Sequence, residues 1–338
     1  MKIGKLDSKK NIIVIAEVGN NHEGSYTLAE ELVGLAAEAG ADAVKFQTFI
    51  TENFIDSSDL VRYNKLKKFQ LNENEFLKLS KVAKEQDIAF ISTPLDLKSA
   101  DFLLDIVDAI KIASGDNTFF PLIDKLALSN VPLILSTGML EMDSVVKVKD
   151  RIIKIKLEHN NVTDLAVLHC VSSYPVEMNQ ANLNAIKTLT KKLNCDVGYS
   201  DHTNGILASI ASAAIGARII EKHFTIDNNF SDFRDHKLSA NPGDLKKMIK
   251  SIRDVEKLLG SGKKIIQKCE EKDMKLMRRS ISAKRSLQKN HKIVEDDLIW
   301  LRPGLGIQPG NENSIIGKLT NKKIQRGQNI TTKDLKTN

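Results

Sequence analysis

The sequence predicts a (β/α)8 TIM barrel followed by a small, loop-rich mixed β domain. Strand-like and helix-like segments alternate eight times between residues 11 and 260. The strand-like segments are short and mostly apolar on both faces, the pattern of a parallel sheet covered by helices. Near Gly260 the alternation stops, and the remaining chain is rich in charge and in Gly, Pro and Asn turns. Eight strand–helix units in about 250 residues close a barrel. A doubly wound open sheet usually has fewer strands and a glycine-rich first turn; here the first turn reads GNNHEG, which does not fit G-x-G-x-x-G.

In order, the expected strands are 12–19, 43–48, 89–93, 109–113, 133–137, 165–170, 196–199 and 218–223, each rich in Val and Ile. The expected helices are 26–39, 74–86, 98–106, 121–129, 143–156, 183–192, 205–215 and 242–259. Gly40 is a natural stop for the first of them, and Pro242 suits the first turn of the last. Residues 50–71 read as a long polar loop. The barrel is therefore expected over 1–260, a charged linker with some helical content over 261–280, and the second domain over 281–338, a unit whose core is marginal by itself.

Composition narrows the function classes. Of 338 residues, 41% are hydrophobic, which suits a packed globule. No apolar run approaches the length of a membrane span, and MKIGKLDSKKNII carries no secretory-type apolar stretch, so the expected compartment is the cytoplasm. Cys170, Cys195 and Cys269 form no paired framework and are expected as buried thiols. The net charge of +7 is uneven: residues 261–338 hold 18 Lys and Arg against 8 Asp and Glu. These cations are scattered with no aromatic platform between them, so they suit a solvated surface rather than a nucleic-acid site.

Barrel chemistry stands at the carboxyl ends of the strands. Those ends bring Glu17, Lys45, Gln47, Thr93, Lys111, Ser114, Ser136, Ser172, Tyr174, Ser200, His202, Glu221 and His223 toward one mouth. Lys45 and Lys111 lie inside apolar strands, where a lysine without a partner is costly, and Glu17 is a buried carboxylate by the same pattern. Hydroxyls, amides and ammonium groups together suit a phosphate. VGYSDH and RIIEKHFT place His202 and His223 at matching exits of consecutive repeats, where two imidazoles suit a divalent ion such as Mn²⁺, Zn²⁺ or Fe²⁺. Glu17 and Glu221 suit acid–base work beside it. Turn formation alone also accounts for Thr93 and Ser136. Phosphate, metal and carboxylate together point to a phosphorylated substrate and carbonyl chemistry.

The motifs IAEVGNNHEGS, VKFQTF, ISTPLD, IKIASG, LSTGM, LHCVSSYP, GYSDHT and IEKHFT occur in order and, with ISAKRSLQKNHKIVEDDLIWLRPG, cover nearly the whole chain. In this the sequence resembles the sialic acid synthase family, N-acetylneuraminate synthase-like, with its C-terminal antifreeze-protein-like (SAF) domain. The resemblance implies a transferase that condenses phosphoenolpyruvate with an N-acylated mannose-type sugar. It implies Mn²⁺ or Mg²⁺ on His202 and His223, and Glu17 acting on a water or sugar proton. Lys45, Thr93, Lys111, Ser114, Ser136, Ser172 and Ser200 would cradle phosphoenolpyruvate, and Gln47, Tyr174 and Asp235 would hold the sugar. Arg302 would reach the sugar's acyl group from the partner chain of a domain-swapped homodimer. The chain departs from the family pattern on the sugar side, at Ser172 and at Arg234 and His236 around Asp235, so N-acetylmannosamine and a diacetamido relative leading to legionaminic acid both stay open. Outside the resemblance stand a metal-free Schiff-base aldolase using Lys45 or Lys111 and a carbohydrate-binding protein without catalysis.

Overall fold

The computed structural model describes residues 1–336. Thr337 and Asn338, the end of the expected 281–338 domain, lie outside the described residues. The chain divides into two compact units at Gly260.

The first unit is a closed barrel of eight parallel strands, each hydrogen-bonded to its neighbours in sequence, with the last pairing back onto the first. The strands are β1 (Ile13–Gly19), β2 (Ala43–Thr48), β3 (Ala89–Pro94), β4 (Ala109–Ile112), β5 (Leu133–Ser136), β6 (Leu165–Cys170), β7 (Asp196–Asp201) and β8 (Ile219–His223). Side chains alternate across a strand, and that alternation builds both the core and the mouth. Ile13, Ile15, Ala43, Ile91, Ala109, Ile134, Ala166, Leu168 and Ile219 fill the lower interior, where Met1 and Ile3 of a short N-terminal hairpin join them. Two or four residues further along the same faces stand Glu17, Lys45, Thr93, Lys111, Cys170 and Glu221. The other parity, Val14, Ala16, Val18, Val44 and Phe46, packs outward against the helices.

Helices α1 (Tyr26–Glu38), α2 (Thr51–Phe54), α3 (Leu60–Phe69), α4 (Glu73–Glu85), α5 (Leu97–Leu103), α6 (Phe120–Leu128), α7 (Met142–Glu158), α8 (Asn184–Lys192), α9 (Leu207–Ala214), α10 (Arg234–Leu238) and α11 (Pro242–Leu259) follow the strands. Local chemistry starts several of them. Asn72 and Glu75 form a reciprocal capping box on α4, and Asn241 caps α11 with Pro242 in its first turn. The expected polar loop over 50–71 instead holds α2 and α3. Asp59 caps α3 by accepting from the Arg62 amide, and the helix buries Phe69. Strand β7 runs two residues past the expected Tyr199 and carries Asp201 into the sheet.

In the second unit α12 (Glu271–Met277) precedes an antiparallel pair, β9 (Ser280–Ala283) with β10 (Leu298–Leu301). Single bridges such as Leu287 to Ile324 and Thr320 to Leu335 extend it around a small core of Ile281, Leu287, Ile293, Ile315, Ile324 and Ile330. Buried Asp297 accepts from Arg285 Nε and from His291 Nε2, each at 2.7 Å. Of the three cysteines, Cys170 is buried and Cys195 half-buried, but Cys269 is exposed. Ser261–Glu270 packs no apolar face, so a thiol there has nothing to be buried against.

Candidate active site

Register brings the charged residues together. Glu17 lies opposite Lys45 across β1 and β2, and opposite His223 across β1 and β8. Ser200 lies opposite Glu221 across β7 and β8. The result is a buried four-membered charge cluster. Lys45 Nζ is 2.8 Å from Glu17 Oε2 and 3.6 Å from Glu221 Oε2, and it donates to Thr93 Oγ1 at 3.1 Å. Lys111 Nζ reaches both Glu221 oxygens at 3.1 Å, and Ser200 Oγ donates to Glu221 Oε1 at 2.8 Å. Each lysine thus has the partner that burial demands.

The two carboxylates differ in what surrounds them. Glu17 is pushed up, first by burial and further by the charge of Glu221, with Lys45 opposing. At Glu221 burial works upward but is outweighed by Lys111, Lys45 and the Ser200 hydroxyl, which hold it well below the usual carboxylate range. One carboxyl is poised to carry a proton, while the other stays ionised to anchor two ammonium groups. Lys111 is pushed down by burial, with Glu221 opposing.

Beside this cluster is a set of unused hydroxyls. Ser136 Oγ and Ser172 Oγ are buried without a hydrogen-bond partner. Ser114 Oγ accepts from the Gly138 amide at 3.0 Å. A Cβ at Gly138 would come within 2.2 Å of Ser172 Oγ and 2.7 Å of Ser114 Oγ, so only glycine lets these hydroxyls close around one point. Orphaned buried hydroxyls beside two ammonium groups form a cradle for an anion with several oxygens.

On the other side of the mouth the His202 and His223 rings lie 5.5 Å apart, centroid to centroid. His202 Nδ1 is 2.8 Å from the Val171 carbonyl, to which it donates, leaving Nε2 as the lone-pair nitrogen. His223 Nδ1 is buried without a partner, and burial, then the charges of His202 and Lys45, push this imidazole well down, toward its neutral form. His202 goes the other way: burial works to lower it, but Cys170 and the Val171 carbonyl outweigh burial and raise it. Among the described residues no group of three or more His, Cys, Asp or Glu side chains meets in metal-binding geometry. Two imidazole nitrogens fit a divalent ion whose remaining positions are filled by substrate oxygens or water. Tyr174 stacks on His202 at 4.2 Å, and the Arg234 guanidinium lies 4.8 Å from the same tyrosine ring.

Two adjoining cavities result. One, of about 480 Å³, is lined by the charge cluster, the serine hydroxyls and both histidines. The other, of about 620 Å³, runs outward past Gln47, Tyr174, His223 and Asp235. Asp235 is buried, and burial pushes it up against the opposing charge of Arg234. The structure therefore brings every candidate residue of the sequence to these cavities except Arg302, which is exposed on the second unit.

The NeuB family model matches residues 32–264, and the SAF domain model matches residues 278–336. The chain belongs to the NeuB family. It is thus a carbon–carbon bond-forming transferase, as the sequence motifs lead one to expect. It is 47% identical to an uncharacterised protein of Methanocaldococcus jannaschii over 92% of this chain and 90% of that one. It is 39% identical to the N,N'-diacetyllegionaminic acid synthase of Legionella pneumophila over 96% of this chain and 94% of the relative. The crystal structure of the N-acetylneuraminic acid (sialic acid) synthetase of Leptospira borgpetersenii in complex with citrate is 34% identical, with a TM-score of 0.75, covering 81% of this chain and 94% of that one.

Several residues of this NeuB-family site escape a reading of the sequence. Cys170, expected as a bland buried thiol, stands in the inner cavity with Sγ 3.7 Å from His202 Nδ1; its position on the inward parity of β6 was the available signal. Asn117 donates to the Gly138 carbonyl at 2.9 Å and braces the serine cradle from below. Phe54, Arg62, Leu66 and Phe69 line the outer cavity from a stretch that reads as loop, and nothing local in the sequence marks them.

Proposed function

We propose that this enzyme condenses phosphoenolpyruvate with an N-acylated mannose-type sugar, N-acetylmannosamine or a diacetamido relative, to give a nine-carbon 2-keto sugar acid and inorganic phosphate. One observation carries the reading: the unpartnered Ser136 and Ser172 hydroxyls face the same inner cavity as Lys45 and Lys111, beside the His202 and His223 imidazoles. Names of relatives support it, since one is a legionaminic and another a sialic acid synthase.

In this reading Ser114, Ser136, Ser172, Thr93, Ser200 and the two lysines hold phosphoenolpyruvate. C3 of the enol phosphate attacks the aldehyde carbon of the open-chain sugar. Positive charge develops at C2, water adds there, and the tetrahedral intermediate breaks its C2–O bond to release phosphate. The lysines and hydroxyls fix the phosphate through these steps and stabilise its charge. Glu17, with its raised affinity for a proton, takes one from the adding water or gives one to the new sugar alkoxide. His202 and His223 would hold Mn²⁺ or Mg²⁺, which when bound supplies Lewis-acid polarisation of the aldehyde. Gln47, Tyr174 and Asp235 hold the sugar. Arg302 of the partner subunit reaches its acyl group in a domain-swapped homodimer, and the enzyme works in the cytoplasm. Among the described residues no helix is long and apolar enough to cross a membrane.

A Schiff-base aldolase is disfavoured because both lysines are committed to ion pairs with carboxylates. The test is phosphate release from phosphoenolpyruvate across a panel of acylated mannose-type sugars, with and without added metal. Sugar-dependent, metal-dependent release is expected. Borohydride trapping of substrate on a lysine, with full activity in chelator, would overturn the reading.

A further inference from the structure

The outer cavity is lined by polar and apolar side chains together. Gln47, Asn20, His223 and Asp235 suit a sugar's hydroxyls and carbonyl, and Gln47 and His223 also border the inner cavity. Its apolar lining is Phe54, Leu66 and Phe69 from the segment after β2 and Phe233 from the segment after β8, with the charged Arg62, Lys65, Asp232 and Arg234 among them; Phe54 also borders the inner cavity. Phe69 is buried, and the other three are half-buried. They form one cluster with buried Phe49 and Leu95, separate from the barrel core.

This collar is preformed. Phe69 and Phe233 meet edge to face at 5.2 Å across 164 residues of sequence, and the Lys65 ammonium sits 4.5 Å from the Phe233 ring. Gly24, at φ +84°, lets the first barrel loop meet the end of α3, where a Cβ would fall 1.9 Å from the Lys68 carbonyl oxygen. His236 holds the opposite wall: its Nε2 is 3.1 Å from Glu23 Oε1, and its Nδ1 is 2.6 Å from Thr225 Oγ1. A hydroxyl pressed against such a wall loses its water and gains no partner, whereas a methyl group gains by burial.

We propose that Phe54, Leu66, Phe69 and Phe233 are the specificity-determining surface for the end of the sugar remote from its aldehyde. They select an apolar terminus, a deoxy carbon or the methyl of a second acylamino group, over a free hydroxymethyl. This rests on the condensation reading above and adds to it which part of the chain reads the sugar. The rim cations do not make this a phosphate site. Lys65 lies over Phe233, Arg62 over Phe54 at 5.9 Å, and Arg234 over Tyr174 and beside Asp235, while Asp232 adds negative charge to the same lining.

The experiment measures phosphate release by the full chain with three sugars: N-acetylmannosamine, its 6-phosphate, and 2,4-diacetamido-2,4,6-trideoxymannose. The deoxy diacetamido sugar is expected to have a kcat/KM at least about tenfold above either of the others. Leu66→Asn and Phe233→Leu, both at half-buried positions, should each shrink that ratio several-fold through the KM of the sugar, leaving the KM for phosphoenolpyruvate within about twofold. A ratio unchanged in both folded variants, or a preference for N-acetylmannosamine or its phosphate, overturns the collar and leaves condensation standing. No release with any sugar overturns both.

Discussion

Removing the hydroxyl of Ser136 or Ser172 takes away nothing that the ligand-free protein uses, because neither oxygen has a partner there. Ser136→Ala and Ser172→Ala should therefore leave thermal stability within about 0.5 kcal/mol of the parent. Each should raise the KM for phosphoenolpyruvate by roughly five- to tenfold, as expected for losing one hydrogen bond worth about 1 kcal/mol. Melting curves and initial rates separate the two effects. A fall in stability with no change in KM would mean that the hydroxyls are structural and that the cradle holds something else. Lys45 and Lys111 are the site residues most legible from sequence, since a lysine inside an apolar strand demands a partner. The identity of those partners was not legible, because Lys111 and Glu221 are 110 positions apart.

At the scale of elements, the exits of β7 and β8 are fastened together from behind. Lys222 and Asp201 face outward, both fully buried, with Nζ 3.5 Å from Asp201 Oδ2. Asp201 also accepts from the Thr203 amide and hydroxyl at 2.8 Å and from Ser209 Oγ at 2.6 Å, and Lys222 donates to the Thr203 carbonyl. This network flanks His202 on both sides and adjoins His223. Lys222→Met should destabilise the barrel by about 3–5 kcal/mol, because it leaves Asp201 buried without a counter-charge. Adding Asp201→Asn should recover part of that loss in urea melts. Equal stability of the parent and the single variant would show the pair to be dispensable. The eight strands could be read from sequence because their apolar residues are local and dense. Helix α3 could not, because half of LVRYNKLKKF is Arg, Asn or Lys and its apolar packing depends on Phe233, far along the chain.

For the molecule as a whole, the two units differ in what holds them. The barrel has an interior filled layer by layer, while the second unit has a small core beside which Asp297 and Asp334 are buried. Burial works to raise Asp297, but hydrogen bonds from His291, the Val294 amide and Arg285 outweigh it and hold the group below its ordinary value of 3.8. A depressed carboxyl contributes stability that is present above the unfolded value and is lost as pH falls through the folded one. The second unit should therefore weaken as pH drops below about 4, and Asp297→Asn should flatten that dependence. Trp300, the one tryptophan of the chain, lies on β10, so its fluorescence follows this unit directly. An unchanged pH dependence in Asp297→Asn would remove the carboxyl from the account. The break at Gly260 was visible as a loss of periodicity.

The inward–outward alternation of β8 has a consequence for how such a protein can change. Glu221 and His223 look into the mouth while Lys222 looks away, so odd and even positions belong to different machines. Deleting one residue below Glu221 would swap their allegiances, turning an ammonium into the pocket and exiling the carboxylate.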